Sequence, residues 1–368
     1  MGEASRLDPL VQSFLDLWHH VDAIQARRFE WDGPLPVLAA FDDDGLRQHA
    51  VAARSIEGAV LDLDLDSLDE EIDRTVLLAA IRPLIRQLER DHPENHQPTF
   101  WTERIIALLA ARTGDEAGLV ALPGWVDSAR VTLIEPPLFA LQVALDDLSQ
   151  ARAQLERPEW WQTDKNALAA AVAAIDGLEQ FFRHGTTPNP GSGALGEEAI
   201  TWHLNHGALI EVSATEAARR LRRRLDGASP AARVDLTGAV QAYRQALAGH
   251  RSGTRRRIAS PVWLGGFALF VAEVGGWPVG GAIAEWCGRG LVDVGYHLGL
   301  VSSEGLTEAS GAVAAVRSPL ETMETALLAI EWETVRGRFG GDTESFVAAV
   351  VQRGLFHPAL AAWRLGLG

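Results

Sequence analysis

Apolar residues recur at intervals of three and four along almost the whole chain, and convincing alternation with a period of two is scarce. This spacing places apolar side chains on one face of a helix, as in residues 7–24. The exception is the alternating stretch 61–66, which leads into Ser67 and Glu70 at the spacing of a capping box. We expect a helix from about residue 68 to residue 90 after it. The pattern predicts an all-α fold of about a dozen helices with no substantial sheet.

Four further serines indicate helix starts. Ser213 precedes Glu216 by three residues, and Ser229, Ser260 and Ser318 each precede a proline. Serine suits the N-cap position, and proline suits the first turn because its missing N–H would have no partner there. We therefore predict that a helix begins after each of these serines.

The chain has 368 residues, which is enough to bury a large core. We expect one helical domain over residues 1–368, and the alternative is two helical halves, 1–190 and 191–368, around a central cleft. Residues 261–301 are rich in apolar and small side chains, but charges and Pro278 interrupt them. A membrane span needs about 20 apolar residues in a row, so we expect buried central helices and no membrane segment.

The net charge of −16, from 49 acidic and 33 basic residues, repels phosphate backbones, so no nucleic-acid partner is expected. Two arginine-rich runs, 219–224 and 251–257, are interpreted as a solvated helix face and an exposed loop. The single cysteine, Cys287, excludes an intramolecular disulfide and a zinc site built on several thiolates. The first residues lack the apolar core of a signal peptide, which favours a cytoplasmic location.

The candidate chemistry lies on one segment. Four polar residues spaced four apart form a stripe on an otherwise apolar helix: Glu285, Arg289, Asp293 and His297. Charges inside a core are costly unless they are paired. The stripe therefore either ties the core together or lines a cavity, and the spacing leaves both alternatives open.

His203 and His206 lie three residues apart on one helix face. Two imidazoles do not complete a metal site, and because no third ligand is apparent we interpret them as a surface pair. The sequence contains no His-Glu-x-x-His motif, no Walker phosphate loop and no Gly-x-Ser-x-Gly elbow. No metal and no cofactor are therefore expected.

Several segments occur in the same order as in one bacterial family, and together they cover most of the chain. They are residues 72–78 with 88–90, 136–139, 195–199, 212–216, 266–270, 289–297 and 346–360. In these segments the chain resembles the family called domain of unknown function 885; residues 195–199, Leu-Gly-Glu-Glu-Ala, are similar to its Leu-Gly-Glu-Glu-Ala-Tyr stretch. The resemblance implies an all-helical fold that looks like the gluzincin peptidases.

In that family a His-Glu-x-x-Pro-Gly-His helix and a further glutamate would hold zinc, and the motif glutamate would activate a water. This chain departs from the pattern at each point. Only a short arginine-rich connector lies between residues 247 and 261, where the motif is expected, and Gly265 stands at the position of the zinc-binding glutamate. The resemblance thus implies a metal-free member, whose helix with Arg289, Asp293 and His297 packs beside the former metal centre.

We expect a metal-free, peptidase-like pseudoenzyme that binds a small molecule, a peptide or a partner without zinc hydrolysis. The alternative is a repurposed metal-independent enzyme of specialised metabolism, in which Asp293 and His297 form an acid–base pair. A third hypothesis is a structural or oligomerisation subunit, and a homodimer is compatible with it. The candidate binding residues are the other polar and aromatic side chains of this region: Arg289, Glu285, Glu273 and Tyr296.

Overall fold

A computed structural model describes residues 6–21, 41, 43–111, 116–157, 160, 163–189, 193–226, 258, 260–274, 282–300 and 312–367. This part of the chain contains 16 α-helices and no strand, so the predicted all-α class is confirmed. In chain order the helices are α1 Asp8–Val21, α2 Asp43–Leu61, α3 Leu68–Arg86, α4 Pro93–His96, α5 Pro98–Ala111, α6 Glu116–Thr132, α7 Leu138–Leu155, α8 Lys165–Gln180, α9 Gly196–His206, α10 Ala214–Asp226, α11 Pro261–Val274, α12 Ala282–His297, α13 Ala312–Arg317, α14 Glu321–Arg338, α15 Thr343–Gln352 and α16 Pro358–Leu365. Two short π-helices, Gln87–Asp91 and Phe181–Gly185, extend α3 and α8.

The start of α3 has a variant of the predicted capping box, in which the glutamate accepts from the N–H of Asp66 and not from that of the N-cap residue Ser67. The Ser67 Oγ accepts a hydrogen bond from the Glu70 N–H at 3.2 Å, and the Glu70 carboxylate accepts one from the Asp66 N–H at 3.2 Å. Two backbone donors that have no partner inside the helix are thereby satisfied. The α-helix ends at Arg86 and continues as the π-helix to Asp91, close to the predicted end.

Ser213 and Ser260 cap α10 and α11 as predicted, and Ser229 lies outside the described residues. The Ser213 Oγ accepts a hydrogen bond from the Glu216 N–H at 3.2 Å, and the Ser260 Oγ accepts one from the Val262 N–H at 3.3 Å. In each helix the hydroxyl oxygen takes a donor of the first turn that would otherwise face water or stay unsatisfied.

The start of α14 differs from the prediction. The helix begins at Glu321, after Leu320 in the left-handed conformation with φ of 67°, and not directly after Ser318. The Asp293 carboxylate on α12 accepts hydrogen bonds from the N–H groups of Leu320 and Met323 at 3.1 and 3.2 Å. The prediction is wrong because a residue distant in sequence supplies the cap that the local serine was expected to supply.

Helix α14 lies at the centre of the C-terminal helices and packs against α10, α11, α12, α13 and α16. Its buried side chains include Met323, Leu327 and Trp332. Helix α11 approaches it closely because Gly266 has no side chain: a Cβ there would lie 2.6 Å from the Leu328 Cβ. Most of α11 and much of α12 are buried, as expected for central helices. Within the described ranges, no helix has the length and apolarity that crossing a membrane requires.

The N-terminal helices form two groups. Helices α1, α2 and α3 pack on one another, and in the second group α5 packs mainly against α7 and α6 mainly against α8. Four aromatic rings join the groups, with ring centroids 4.7 to 6.5 Å apart: Phe41, Phe100, Trp101 and Trp125. The N-terminal and C-terminal helices meet where α3 packs against α9 and α5 against α13. A division into halves at residue 190 stays a prediction.

The first arginine-rich run lies on α10 and is mostly paired. Arg220 forms an ion pair with Glu331, and Arg224 forms ion pairs with Glu273 and Glu333. These contacts connect α10 to α11 and α14, so only part of the run is the solvated face that we expected. The second arginine-rich run lies outside the described residues.

Candidate functional site

A cavity of about 340 Å³ lies between helices α3 and α5 on one side and α9, α11 and α14 on the other. Its apolar lining includes Trp18, Val76, Pro83, Leu84, Phe100, Val262 and Trp263. Its ionisable lining consists of Asp91, His96, Glu103, Arg104, His203, Arg317, Glu321 and Glu324. Apolar walls with a small number of convergent polar groups are typical of small-molecule sites. We call this space the central cavity.

Asp91 and His203 meet at the wall of the central cavity. The His203 Nε2 lies 2.9 Å from Asp91 Oδ2, and the Arg86 Nε donates to Asp91 Oδ1 at 3.0 Å. Burial acts to raise the pKa of Asp91, but the hydrogen bond from His203 and the charges of His203 and Arg86 hold it below its ordinary value of 3.8. Asp91 is therefore an ionised acceptor held between two donors.

The contact with Asp91 fixes the tautomer of His203. An ionised carboxylate only accepts hydrogen bonds, so the hydrogen is on Nε2 and the lone pair of the neutral ring is on Nδ1. Nδ1 has no hydrogen-bond partner within the described part of the chain. The interpretation of the two histidines as a surface pair is wrong, because His203 is 19% exposed and lines the cavity. His206, one turn later, instead stacks on Trp202 with ring centroids 4.4 Å apart.

The backbone departs from regular geometry at two points of the cavity wall. Asp91 is the last residue of the π-helix Gln87–Asp91, and His92 follows it with φ of 41°. On the C-terminal side, Leu320 lines the cavity and has φ of 67°. π-helices and left-handed residues other than glycine are uncommon, and they are enriched at functional sites.

Glu324 brings to the cavity a carboxyl group whose surroundings favour its protonated form. Burial, together with the nearby carboxyl groups of Asp293 and Glu321, raises its pKa well above the ordinary value of 4.5. Its side chain has no hydrogen bond or ion pair to any described residue. Burial also lowers the pKa of His96, which favours its neutral form. The cavity thus combines an unpaired acid with imidazoles that accept or donate hydrogen bonds.

Asp293 and His297 lie outside the cavity lining. Both are buried, and the His297 Nε2 lies 3.5 Å from Asp293 Oδ1 and 3.0 Å from the carbonyl oxygen of Ala315. Burial raises the pKa of Asp293 to about 7 and lowers the pKa of His297 to about 4. Because Asp293 also caps α14, these contacts favour the alternative in which the stripe ties the core together.

The other residues of the segment make local contacts. Arg289 pairs with Glu285 one turn earlier, and its guanidinium lies 5.7 Å from the centroid of the Trp286 ring. Tyr296 packs in a small apolar cluster with Phe139, and burial raises its pKa to about 12. The structure thus brings Glu285 and Arg289 together but does not place either one, or Tyr296, in the cavity lining.

Glu273 has a structural position between two helices. Its carboxylate accepts a hydrogen bond from Arg224 at 3.2 Å and one from the Ile283 N–H, at the start of α12, at 3.3 Å. It therefore connects α10 and α11 to the first turn of α12 and also lies outside the cavity lining.

No group of three or more His, Cys, Asp or Glu side chains in the described ranges is arranged to hold a metal ion. At Gly265, where the proposed resemblance would place a zinc-binding glutamate, a Cβ would lie 3.3 Å from the Thr325 Cγ2, so α14 leaves little room for a longer side chain. Cys287 is buried, and burial raises the pKa of its thiol to about 12, which disfavours a thiolate ligand. Most of the connector 249–260 lies outside the described residues.

No family model and no curated protein matches the sequence. Among solved structures, the chain is similar to one described as "a putative lipoprotein of unknown function from Shewanella oneidensis", with a TM-score of 0.65 and 10% sequence identity. The alignment covers 98% of this chain and 100% of that chain. At this identity the likeness shows a shared fold alone. The resemblance to domain of unknown function 885 stays a prediction.

Sequence reasoning missed the contact between Asp91 and His203, which are 112 residues apart. The local signals are weak: Asp91 precedes a His-Pro pair, and His203 belongs to a pair of histidines without a third ligand. Glu324 shares its helix face with Leu327 and Leu328 but also with Glu321, so the sequence does not mark it as a buried acid.

Proposed function

We propose that the protein binds a small organic molecule in the central cavity, without a zinc ion and without peptide hydrolysis. The observation that carries the proposal is the convergence of the Asp91–His203 pair, His96 and Glu324 on a cavity of about 340 Å³ whose walls are partly apolar and partly polar. This volume lies in the range of about 300–1,000 Å³ that small-molecule sites occupy. It favours a small molecule over an extended peptide, which needs a longer open groove.

The lining indicates a ligand with an apolar body and a hydrogen-bonding group. Trp18, Phe100 and Trp263 provide ring surfaces. The Trp263 Nε1 is buried and has no hydrogen-bond partner among the described residues. An unsatisfied buried donor costs about 1–3 kcal/mol, so a ligand acceptor that reached this N–H would remove that cost.

The other functions expected from the sequence have less support. Acid–base catalysis by Asp293 and His297 needs access to a substrate, and both side chains are buried away from the cavity lining. A purely structural subunit would not need an internal cavity with unpaired polar groups, since such groups reduce stability.

The proposal is tested with N-phenylnaphthylamine, a neutral dye that becomes fluorescent in apolar surroundings. Ala80 lines the cavity, so Ala80→Trp fills it with an indole ring. We expect the dye to bind the wild-type protein and to bind Ala80→Trp at least about tenfold more weakly, because the ring occupies the apolar space. Val120→Trp is the matched control, since Val120 is 64% exposed on α6.

Circular dichroism of each variant checks that the helices are retained. Equal dye affinity in the wild-type protein and Ala80→Trp would place the dye elsewhere and count against the proposal. Absence of any dye binding by the wild-type protein would contradict it directly.

A further inference from the structure

We propose that His203 is the general base of a proton-transfer reaction in the central cavity, with Asp91 as its positioning residue and Glu324 as the proton donor. The inference rests on the proposed function, because the base acts on a molecule that the cavity binds. Because a basic imidazole nitrogen and a carboxyl O–H line the same cavity, the substrate class is a carbonyl compound with an acidic C–H bond, and the reaction class is an isomerisation.

The contacts of His203 are those of a positioned base. One ring nitrogen is held by the Asp91 carboxylate at 2.9 Å, which leaves the lone pair on the nitrogen without a partner. Asp91 is itself fixed by Arg86, whose guanidinium lies 4.9 Å from the Trp202 ring centroid and contacts Glu198 at 3.3 Å. A base oriented by a third group is the arrangement on which nucleophile activation and proton abstraction depend.

The proton donor comes from a different helix. Glu324 lies in the first turn of α14, lines the same cavity as His203 and has no partner among the described residues. Its surroundings favour the protonated acid, whereas those of Asp91 favour the ionised carboxylate. When one site shifts the pKa values of two carboxyl groups in opposite directions, one group commonly acts on the acid side of the reaction and the other on the base side.

The proton balance of the step closes without a further reactant. The proton of a C–H bond next to a carbonyl group passes to His203 Nδ1, and the C–H electron pair forms a C=C bond. The carbonyl π pair moves to the oxygen, which takes the proton of Glu324 and gives an enol. His203 then returns its proton to another carbon of the conjugated system, and the enol returns its proton to Glu324. These two transfers release the isomer and restore both side chains.

The probe is nitrobenzisoxazole, a neutral aromatic carbon acid that opens in one step. The base takes the C–H proton, the C–H electrons form a nitrile, and the breaking N–O bond leaves its pair on a phenolate oxygen that is detected by absorbance. We expect His203→Ala to lower kcat about 100-fold, with partial recovery on addition of imidazole. We expect Asp91→Asn to lower kcat about tenfold or more at unchanged KM, because the ring loses its fixed tautomer.

Two comparisons separate chemistry from folding. His203→Gln keeps an N–H donor for Asp91 but no basic nitrogen, so it should lose turnover as His203→Ala does even if the alanine variant is unstable. His206→Ala is the control on the same helix and should match the wild-type protein. Glu324→Gln should lower kcat more for benzisoxazole than for nitrobenzisoxazole, because the phenolate without the nitro group is the stronger base and gains more from protonation.

N-phenylnaphthylamine titrations of the same samples make the two proposals distinguishable. Ring opening that depends on His203 in a protein that binds the dye supports the inference. A wild-type protein that binds the dye but does not open the ring, or a His203→Gln variant that opens it at the wild-type rate, overturns the inference and leaves the proposed function standing. A wild-type protein that does not bind the dye overturns the proposed function.

Discussion

The cap that Asp293 provides for α14 predicts an unusual pH dependence of stability. The carboxyl group accepts hydrogen bonds from the N–H groups of Leu320 and Met323, yet burial raises its pKa from 3.8 to about 7. Because the folded state holds this proton more tightly than the unfolded state, stability falls as the pH rises from about 4 to 7. At about 1.4 kcal/mol per pKa unit, the loss is about 4 kcal/mol.

The perturbation is Asp293→Asn, which removes the titration and keeps one oxygen acceptor for the cap. Urea denaturation of both proteins at pH 4 and pH 8 gives the difference between their free energies of unfolding at each pH. Between pH 4 and pH 8, we expect Asp293→Asn to gain about 4 kcal/mol of stability relative to the wild-type protein, because all other titrating groups are the same in the two proteins. The same comparison in a Glu324→Gln background removes the interaction of Asp293 with that nearby carboxyl group.

Asp293→Ala completes the series. It leaves the N–H groups of Leu320 and Met323 without their acceptor, and each unsatisfied buried donor costs about 1–3 kcal/mol. At pH 4 this variant should therefore be less stable than Asp293→Asn by about 1–3 kcal/mol, since asparagine satisfies one of the two donors. A difference between the wild-type protein and Asp293→Asn that stays constant from pH 4 to pH 8 would refute the reasoning.

Three further predictions concern buried groups. Burial lowers the pKa of His357 to about 4. Between pH 6.5 and pH 4, the free energy of unfolding of the wild-type protein should therefore fall by about 3 kcal/mol more than that of His357→Asn, as measured by urea denaturation. Equal losses in the two proteins would contradict this. Glu324→Gln should be more stable than the wild-type protein at pH 8 but not at pH 4. The reason is that the pKa of Glu324 is raised in the folded state, so ionisation of its carboxyl group destabilises that state. Melting temperatures at both pH values test this prediction. Gly266→Ala should lower the free energy of unfolding by about 1–3 kcal/mol, since its Cβ would lie 2.6 Å from the Leu328 Cβ. Gly288→Ala is the control, because the space around Gly288 is open and the substitution should not destabilise the protein. Thermal unfolding of both variants measures the difference.

The sequence determined the helices and several of their boundaries. Apolar spacing of three and four is a property of neighbouring residues, so the all-α class follows from it without tertiary information. The caps at Ser67, Ser213 and Ser260 are equally local, because each hydroxyl bonds to a backbone N–H two or three residues later. These predictions are confirmed for that reason.

The tertiary structure decided which polar groups face the cavity and which only hold helices together. The stripe pattern identified Asp293 as a buried polar residue, but its partners at Leu320 and Met323 come from another helix. Asp91 and His203 meet only because α3 and α9 pack together, and no local spacing encodes a contact over 112 residues. Helical periodicity specifies the face on which a side chain lies, whereas the packing of distant helices determines what that face contacts.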